Sequence, residues 1–109
     1  MKHGFFDEHW CDAQDNPAGG VTSGKGFVIS WQNGPLGRGD TRREPNGAFV
    51  EDVIQAVRQR LEFYQTASGG KYACPENQEA IEYLACAEAT LDARTRDREA
   101  RQVEGLHTV

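Results

Sequence analysis

Residues 90–107 read TLDARTRDREARQVEGLH, and the spacing of their arginines predicts the end of a long α-helix. Arg94, Arg98 and Arg101 recur at i, i+4 and i+7, which places the three side chains on one face of that helix. Followed backwards, the same line passes through Leu91, Leu84 and Ile81. An apolar stripe that continues into guanidinium groups indicates a partner for them: carboxylates, a neighbouring subunit or a phosphate-bearing ligand.

The helix that carries these arginines is predicted, with its tail, over residues 75–103. It begins at Pro75, because proline is favoured at the first helical position. Its apolar residues form a narrow stripe rich in alanine, which permits another helix to approach closely. They are Ala80, Ile81, Leu84, Ala85, Ala87 and Leu91.

A first helix is predicted over residues 47–68, where apolar side chains recur at three- and four-residue spacing. Asn46 is expected to be its N-cap, and the SGGK sequence at 68–71 is expected to reverse the chain. Two helices joined by a short glycine-rich loop indicate an antiparallel hairpin. The second helix then extends about two turns beyond the first, and we expect the arginines on that overhang.

The N-terminal part of the chain is predicted to hold a small β region. Residues 25–32, KGFVISWQ, alternate with a period of two, which is typical of a strand. A polar loop continues to residue 46, and residues 1–24 are expected to be irregular. The predicted fold class is therefore α+β, with a small N-terminal antiparallel β region and a two-helix hairpin. We expect these parts to form a single oligomeric domain over residues 1–109.

The bulk composition limits the partners that the protein can have. The net charge is −5, with 38% hydrophobic and 27% charged residues, which disfavours a nucleic-acid polymer because that partner needs a basic surface. Asp92, Asp97 and Glu99, interleaved with the helical arginines, disfavour DNA further. Nine of the twelve cationic residues are arginines, and they cluster at three places. This pattern favours a small anionic ligand.

The three cysteines show no repeating spacing, which indicates a reducing compartment rather than a disulfide framework. No apolar run is long enough to span a membrane, and MKHGFFDEHW is not typical of a signal peptide. His3, His9 and Cys11 fit no structural zinc spacing. Since no nucleophile–base arrangement is evident, we expect no catalytic residues, no metal and no cofactor.

Arg94 and Arg98 are the leading candidates for ligand binding, because each guanidinium can hold a phosphate through two parallel hydrogen bonds. Thr95 adds a hydroxyl donor beside them, and Arg101 extends the row. Asn77 can read an adenine or ribose edge if a neighbouring hairpin contributes it.

Aromatic and loop residues complete the candidate set. Tyr72 or Trp31 offers a stacking surface for a base, and the loop residues Arg38, Arg42 and Arg43 are candidates for a second anion site. Alternatively, the helical arginines pair with acids on their own helix, where exposed ion pairs contribute little stability. Those acids are Glu88, Asp92, Asp97 and Glu99.

Three stretches together resemble a phage protein family, the first-described Thoeris anti-defence family. They are NGAFVEDVI at 46–54, KYACPENQEAI at 71–81 and LDARTRDREARQVEG at 91–105. The pattern ART-x-x-R-x-x-R-x-VEG in the last stretch is the most specific part, and the resemblance covers roughly residues 25–107. An anti-CBASS family that binds cyclic dinucleotides has a similar helical hairpin. The strand and loop before the hairpin favour the Thoeris type.

The resemblance implies a non-enzymatic protein that sequesters glycocyclic ADP-ribose, the signal of a bacterial TIR-domain defence enzyme, in the cytoplasm of the infected host. Arginines of the tail motif hold the phosphates in that family, and they match Arg94 and Arg98 with Thr95 beside them and Asn77 earlier. Some members form dimers or trimers of dimers, and some bind cyclic di- or trinucleotides at a separate site. The tail departs from the family at Gln102, where we expect a glycine.

Two other classes of function stay open. One is a structural or adaptor phage protein whose row of arginines forms a salt-bridge network between subunits. The other is an enzyme that degrades the nucleotide. Substituting Arg94 separates the first from a ligand-binding protein, and recovery of the ligand from the complex separates the second.

Overall fold

The computed structural model describes residues 4–109 and shows an α+β fold. The elements are β1 (Phe6–Cys11), β2 (Pro17–Gly24), β3 (Phe27–Asn33), a 3-10 turn (Gly39–Thr41), α1 (Val50–Gly70) and α2 (Pro75–Ala100). The three strands form an antiparallel sheet in the order β1-β2-β3. The chain divides into two compact units, Met1–Phe49 with Glu99–Val109 and Val50–Arg98. The predicted fold class of a small antiparallel β region followed by two helices is confirmed.

The sequence prediction of an irregular segment over residues 1–24 is wrong, because β1 and β2 lie there. Gly20 shows why the glycines of this segment were misread as a turn or flexible link. It pairs with His9 of β1 at a φ of 146°, and a Cβ atom at this position would lie closer than 3.0 Å to the backbone oxygen of Glu8. A glycine that indicates a turn in the sequence therefore permits close strand approach.

The predicted strand at 25–32 is observed as β3, and the residues after the loop return to its outer edge. Ala48 donates its N–H to the Ser30 carbonyl at 2.7 Å and accepts the Gln32 N–H at 3.0 Å. The Asn46 side chain accepts from the N–H of Asn33 at 2.8 Å and donates to its carbonyl at 3.0 Å. Asn46 thus joins the loop to the sheet, and its predicted role as a helix N-cap is wrong.

The unit Val50–Arg98 is the helical hairpin, and its turn is formed as predicted. Regular helical geometry in α1 ends before Ala67, and Ser68 and Gly69 adopt positive φ angles of 53° and 68°. The Gln65 side chain spans the turn: it accepts the Cys74 N–H at 2.9 Å and donates to the Cys74 carbonyl at 3.2 Å. The Cys74 sulfur accepts the Asn77 N–H at 3.4 Å and therefore caps the N-terminus of α2.

Cross-helix contacts establish the antiparallel register of α1 and α2. Arg58 lies opposite Glu88, and Glu51 near the start of α1 shares a cavity with Thr95. Since α1 begins at Val50, Arg94 lies alongside its first turn. The expectation that all the arginines lie on an overhang of two turns is therefore wrong for Arg94.

Apolar burial is slight in the part of the chain that the structure describes. Gly20 is the one buried residue among positions 4–109, and no apolar side chain there is fully buried. Neither α1 nor α2 has the length and apolar composition that a membrane-spanning helix needs.

Candidate functional site

Arg94 and Arg98 lie one turn apart on α2. Their azimuths differ by about 40°, since each residue advances the helix by about 100°. Arg94 is exposed and Arg98 is half-buried. Thr95, which lies between them in the sequence, is half-buried. Its hydroxyl donates to the Leu91 carbonyl at 3.3 Å. The two arginine side chains therefore leave α2 on the same side, or flank, of the helix.

The apolar stripe does not continue into the row of arginines as uniformly as the sequence suggests. Leu91 and Arg98 are both half-buried, whereas Arg94 and Arg101 are exposed. The helix ends at Ala100, and the Arg101 guanidinium donates to the carbonyl of Val109 at 2.8 Å. Arg101 thus also serves to hold the C-terminal tail.

Asn77 and Tyr72 lie at the opposite end of the hairpin from Arg94. Seventeen residues of continuous helix separate Asn77 from Arg94, a distance of about 25 Å along the axis. Tyr72 is 57% exposed, and the Lys71 ammonium lies 5.5 Å from the centre of its ring. Within one chain the structure does not bring these residues to the arginines. A shared site requires a second copy of the hairpin.

Trp31, the other candidate for stacking, is engaged in a hydrogen-bonded chain on the sheet. Its indole N–H donates to the Thr22 hydroxyl at 2.8 Å, and that hydroxyl donates to the Asp7 carboxylate at 2.7 Å. The His9 imidazole lies 3.0 Å from the same carboxylate. The Thr22 hydrogen bond, followed by that from His9, lowers the pKa of Asp7. This network fixes the orientation of the half-buried Trp31 ring.

Two of the three loop arginines, Arg38 and Arg42, form hydrogen bonds with the C-terminal tail. Arg42 donates to the Glu104 carboxylate at 2.7 Å, and Arg38 donates to the Glu104 carbonyl at 3.0 Å. The Gly37 N–H donates to the Gly105 carbonyl at 2.7 Å. The carboxylate of Glu104 raises the pKa of Arg42. An anion at this candidate second site would therefore compete with Glu104 for Arg42.

Arg43, the third of the loop arginines, closes its own loop. It donates to the carbonyls of Pro35 at 2.9 Å and Asn33 at 3.0 Å. These bonds to neutral carbonyl oxygens leave the positive charge of Arg43 without a compensating carboxylate among the contacts on its side chain.

Among residues 4–109, no group of three or more His, Cys, Asp or Glu side chains comes together that could hold a metal ion. His9 and Cys11 are exposed on β1, and His3 lies outside the described residues.

Comparison with known proteins finds no matching family model. A curated protein named "Thoeris anti-defense 1", from Bacillus phage SBSphiJ7, is 38% identical to this chain over 85 residues. The aligned part covers 78% of the chain. The chain belongs to the Thoeris anti-defence family. It spans 55% of the length of the relative that it matches.

In this member of the Thoeris anti-defence family, sequence reasoning missed a charged cluster that joins the two helices. The Arg58 guanidinium donates at 2.6 Å to Glu88 across the hairpin and at 2.6 Å to Glu62 on its own helix. These two bonds, that to Glu88 first, raise the pKa of Arg58. The spacing of Arg58 and Glu62 at i, i+4 was visible in the sequence, but pairing over thirty residues with Glu88 needs the hairpin register.

An open cavity of about 410 Å³ lies beside this cluster, between α1 and α2. Its lining residues are Glu51, Gln55, Arg58, Glu88, Asp92 and Thr95. Three of the six are carboxylates, and the single arginine is already paired, so the cavity repels phosphate. Neither Arg94 nor Arg98 is among the residues that line this cavity.

Proposed function

We propose that this phage anti-defence protein binds a cyclic nucleotide immune signal and holds it intact. The signal is the glycocyclic ADP-ribose of the Thoeris system, and the action takes place in the cytoplasm of the infected host. The observation that carries the proposal is the pair Arg94 and Arg98, one turn apart on α2, within the most specific motif of a Thoeris anti-defence family member. Cyclic di- and trinucleotides of CBASS are the second ligand class.

Sequestration needs tight binding without turnover, and the chemistry of the flank suits it. Two guanidinium groups can hold two linked phosphates through paired charge-assisted hydrogen bonds. To compete with a receptor the protein needs a nanomolar dissociation constant, about −12 kcal/mol. Holding a molecule intact requires only preorganised donors and exclusion of water, so the proposal needs no catalytic residue, metal or cofactor.

We further propose that the protein is a homo-oligomer, a dimer or a trimer of dimers, with the ligand between chains. One face of α1 carries a stripe of apolar side chains: Val50, Val53, Ile54, Val57, Leu61 and Tyr64. Val50 and Val57 are 52% and 48% exposed. Two hairpins packed together would form a four-helix arrangement that covers the exposed part of this stripe.

An intersubunit pocket also accounts for the separation of the candidate residues. Arg94 and Asn77 lie about 25 Å apart on one helix, but an antiparallel second hairpin brings the Asn77 end of one chain beside the Arg94 end of the other. Tyr72 lies at the same end of the hairpin as Asn77, so the same arrangement would also bring it near Arg94 of the other chain. The proposed site therefore combines Arg94, Thr95 and Arg98 of one chain with residues of its partner.

Calorimetric titration with glycocyclic ADP-ribose tests the proposal, followed by heat release of the ligand and mass analysis. Tight binding and recovery of unchanged ligand are expected. Arg94→Glu should abolish binding while the fold and the oligomer persist. Arg96→Glu is the matched control, because it makes the same charge change on the opposite side of α2, where Arg96 pairs with Asp92 at 3.1 Å.

Three results would contradict the proposal. Recovery of a cleaved nucleotide would identify an enzyme. Loss of the oligomer in Arg94→Glu, with no ligand bound by the unsubstituted protein, would favour an adaptor whose arginines join subunits. If the protein binds neither glycocyclic ADP-ribose nor any of a panel of cyclic di- and trinucleotides, it does not sequester a cyclic nucleotide.

A further inference from the structure

Two asparagine–glycine pairs, Asn33-Gly34 and Asn46-Gly47, lie side by side where the chain returns from the loop to β3. In such a pair the backbone nitrogen of the glycine can attack the carboxamide carbon of the asparagine, because glycine has no side chain that blocks a close approach. Both asparagines are exposed to solvent. Exposure alone therefore does not distinguish the two pairs, whereas their hydrogen bonds do.

The Asn46-Gly47 pair is held at each group that would react. The Asn46 carboxamide accepts the Asn33 N–H at 2.8 Å and donates to the Asn33 carbonyl at 3.0 Å. The Gly47 nitrogen donates its N–H to the Gln32 side chain at 3.2 Å. A Cβ atom at Gly47 would lie closer than 3.0 Å to the backbone of Trp31, so the Gly47 backbone has little room to move. These contacts oppose a reaction between Asn46 and Gly47.

The Asn33-Gly34 pair has the opposite arrangement. Within residues 4–109, neither the Asn33 carboxamide nor the Gly34 N–H forms a hydrogen bond. Gly34 lies directly after the last residue of β3, at a φ of 80°. The Asn33 carbonyl oxygen, in contrast, accepts from the Arg43 guanidinium at 3.0 Å and from the Asn46 side chain at 3.0 Å. The reacting groups are thus free while the peptide bond between them is held.

The two donors lie where negative charge develops when this pair reacts. The Gly34 nitrogen becomes nucleophilic when it loses its proton, and amide resonance spreads the resulting negative charge onto the Asn33 carbonyl oxygen. Donors that already point at that oxygen stabilise the anion without reorganisation. Arg43 also contributes a full positive charge, which no carboxylate among the described residues contacts.

We propose that Asn33 is a site of spontaneous deamidation, promoted by Arg43 and Asn46. The Gly34 nitrogen attacks the Cγ atom of Asn33, the carboxamide nitrogen leaves as ammonia, and a cyclic succinimide forms. Water then opens the ring at either carbonyl and gives aspartate or isoaspartate. The net reaction consumes one water and releases one ammonia, so it needs no oxidant, metal or cofactor. It proceeds whatever ligand the protein binds.

Deamidation changes the charge of the loop that carries the candidate second anion site. Arg38 and Arg42 already contact the Glu104 carboxylate, whereas Arg43 bonds to neutral carbonyl oxygens. In an isoaspartyl product the former Asn33 carbonyl becomes a free carboxylate, at the oxygen that Arg43 already contacts. The modification therefore compensates the positive charge of Arg43 and weakens the attraction of this loop for other anions.

Incubation of the full chain at mildly alkaline pH, followed by peptide mapping with mass spectrometry, tests the proposal. Asn33 should be converted at least about tenfold faster than Asn46, because each of the two bonds that the Asn46 carboxamide must break is worth a factor of about 2 to 10. Incubation in urea is the control, since both pairs are then free and should react at similar rates. Equal rates in the folded protein, or a faster reaction at Asn46, would contradict the proposal.

Arg43→Gln tests the role of the guanidinium. Loss of its charge should slow the reaction at Asn33 about 3- to 30-fold and leave the rate at Asn46 unchanged. Arg43→Lys keeps the charge and should restore part of the rate. Arg60→Gln, which removes an exposed arginine from α1, is the matched control and should change neither rate. If Arg43→Gln speeds up the reaction at Asn33, the arginine protects the pair by holding the loop, and its proposed promoting role is wrong.

Discussion

Gln102 adopts a left-handed backbone conformation, with a φ of 60°, two residues after Ala100, the last residue of α2. The residue that follows a helix commonly takes this conformation, and glycine is preferred there because it has no Cβ atom. Replacing Gln102 by glycine should relieve about 1–2 kcal/mol of strain, offset by about 0.4–1 kcal/mol of added freedom in the unfolded chain. We expect a net gain of about 0.5–1 kcal/mol in the free energy of unfolding, measured by urea denaturation. Gln78→Gly inside α2 is the control and should destabilise by about 1 kcal/mol.

Gly105 connects the tail to the loop by a backbone contact that leaves no space for a side chain. Its φ is 81°, and an added Cβ would lie closer than 3.0 Å to the Gly37 carbonyl oxygen and to the Arg42 guanidinium. Gly105→Ala should therefore combine backbone strain with a clash and cost about 2–4 kcal/mol of unfolding free energy.

Gly26→Ala isolates the strain component of that effect. Gly26 has a similar φ of 91°, but nothing lies within 4 Å of an added Cβ. We expect it to cost only about 1 kcal/mol. Equal losses for the two variants would show that the Gly37–Gly105 contact does not constrain the tail in solution.

At the scale of elements, Gln65 fixes the turn between α1 and α2 through its two bonds to the Cys74 backbone. Gln65→Ala removes the partner of the Cys74 N–H in a half-buried setting and should cost about 1–2 kcal/mol. The measurement is urea denaturation followed by helical circular dichroism. Gln59→Ala, an exposed glutamine on the same helix, should change stability by less than about 0.5 kcal/mol. A loss as large for Gln59→Ala would assign the effect to helix propensity instead.

Local periodicity predicted the elements that follow a simple rule, and missed those that depend on partners. The two helices and β3 carry clear periods of 3.6 and 2 residues, and their bounds agree within a few residues. β2 contains three glycines and becomes a strand because β1 and β3 bond to both of its edges. Asn46 has the chemistry of an N-cap, but its side chain bonds to Asn33 instead. Tertiary partners outweigh such weak local preferences.

The same limit applies to the candidate site. That Arg94 and Arg98 share a flank follows from helix geometry alone, and so does their distance from Asn77. The partners of Arg58 and Arg42 do not follow, because Glu88 and Glu104 are 30 and 62 residues away. The residue type alone indicates that each of these arginines can bind an anion. Only the folded register shows which guanidinium groups already hold a carboxylate of the same chain.

At the scale of the whole molecule, the absence of buried apolar side chains among residues 4–109 bears directly on the proposed assembly. Hydrophobic burial is the main favourable term in folding, and the hairpin obtains little of it within one chain. The apolar stripe on α1 extends over about four turns, and Val50 and Val57 on it are 52% and 48% exposed. A second hairpin that covers this stripe would supply both the missing burial and the second half of the ligand pocket.

Val57→Asp tests that assembly at the centre of the stripe. A carboxylate there would have to be desolvated without a partner if the stripe packs against a second copy, which costs several kcal/mol. We expect sedimentation equilibrium to show conversion of the proposed oligomer into 12.1 kDa chains, with loss of glycocyclic ADP-ribose binding because the proposed pocket lies between chains. Ala56→Asp places the same charge on an exposed position of α1 outside the stripe and should leave mass and binding unchanged. An unsubstituted protein that sediments as a single chain and still binds the nucleotide tightly would overturn the intersubunit pocket, because one hairpin would then suffice.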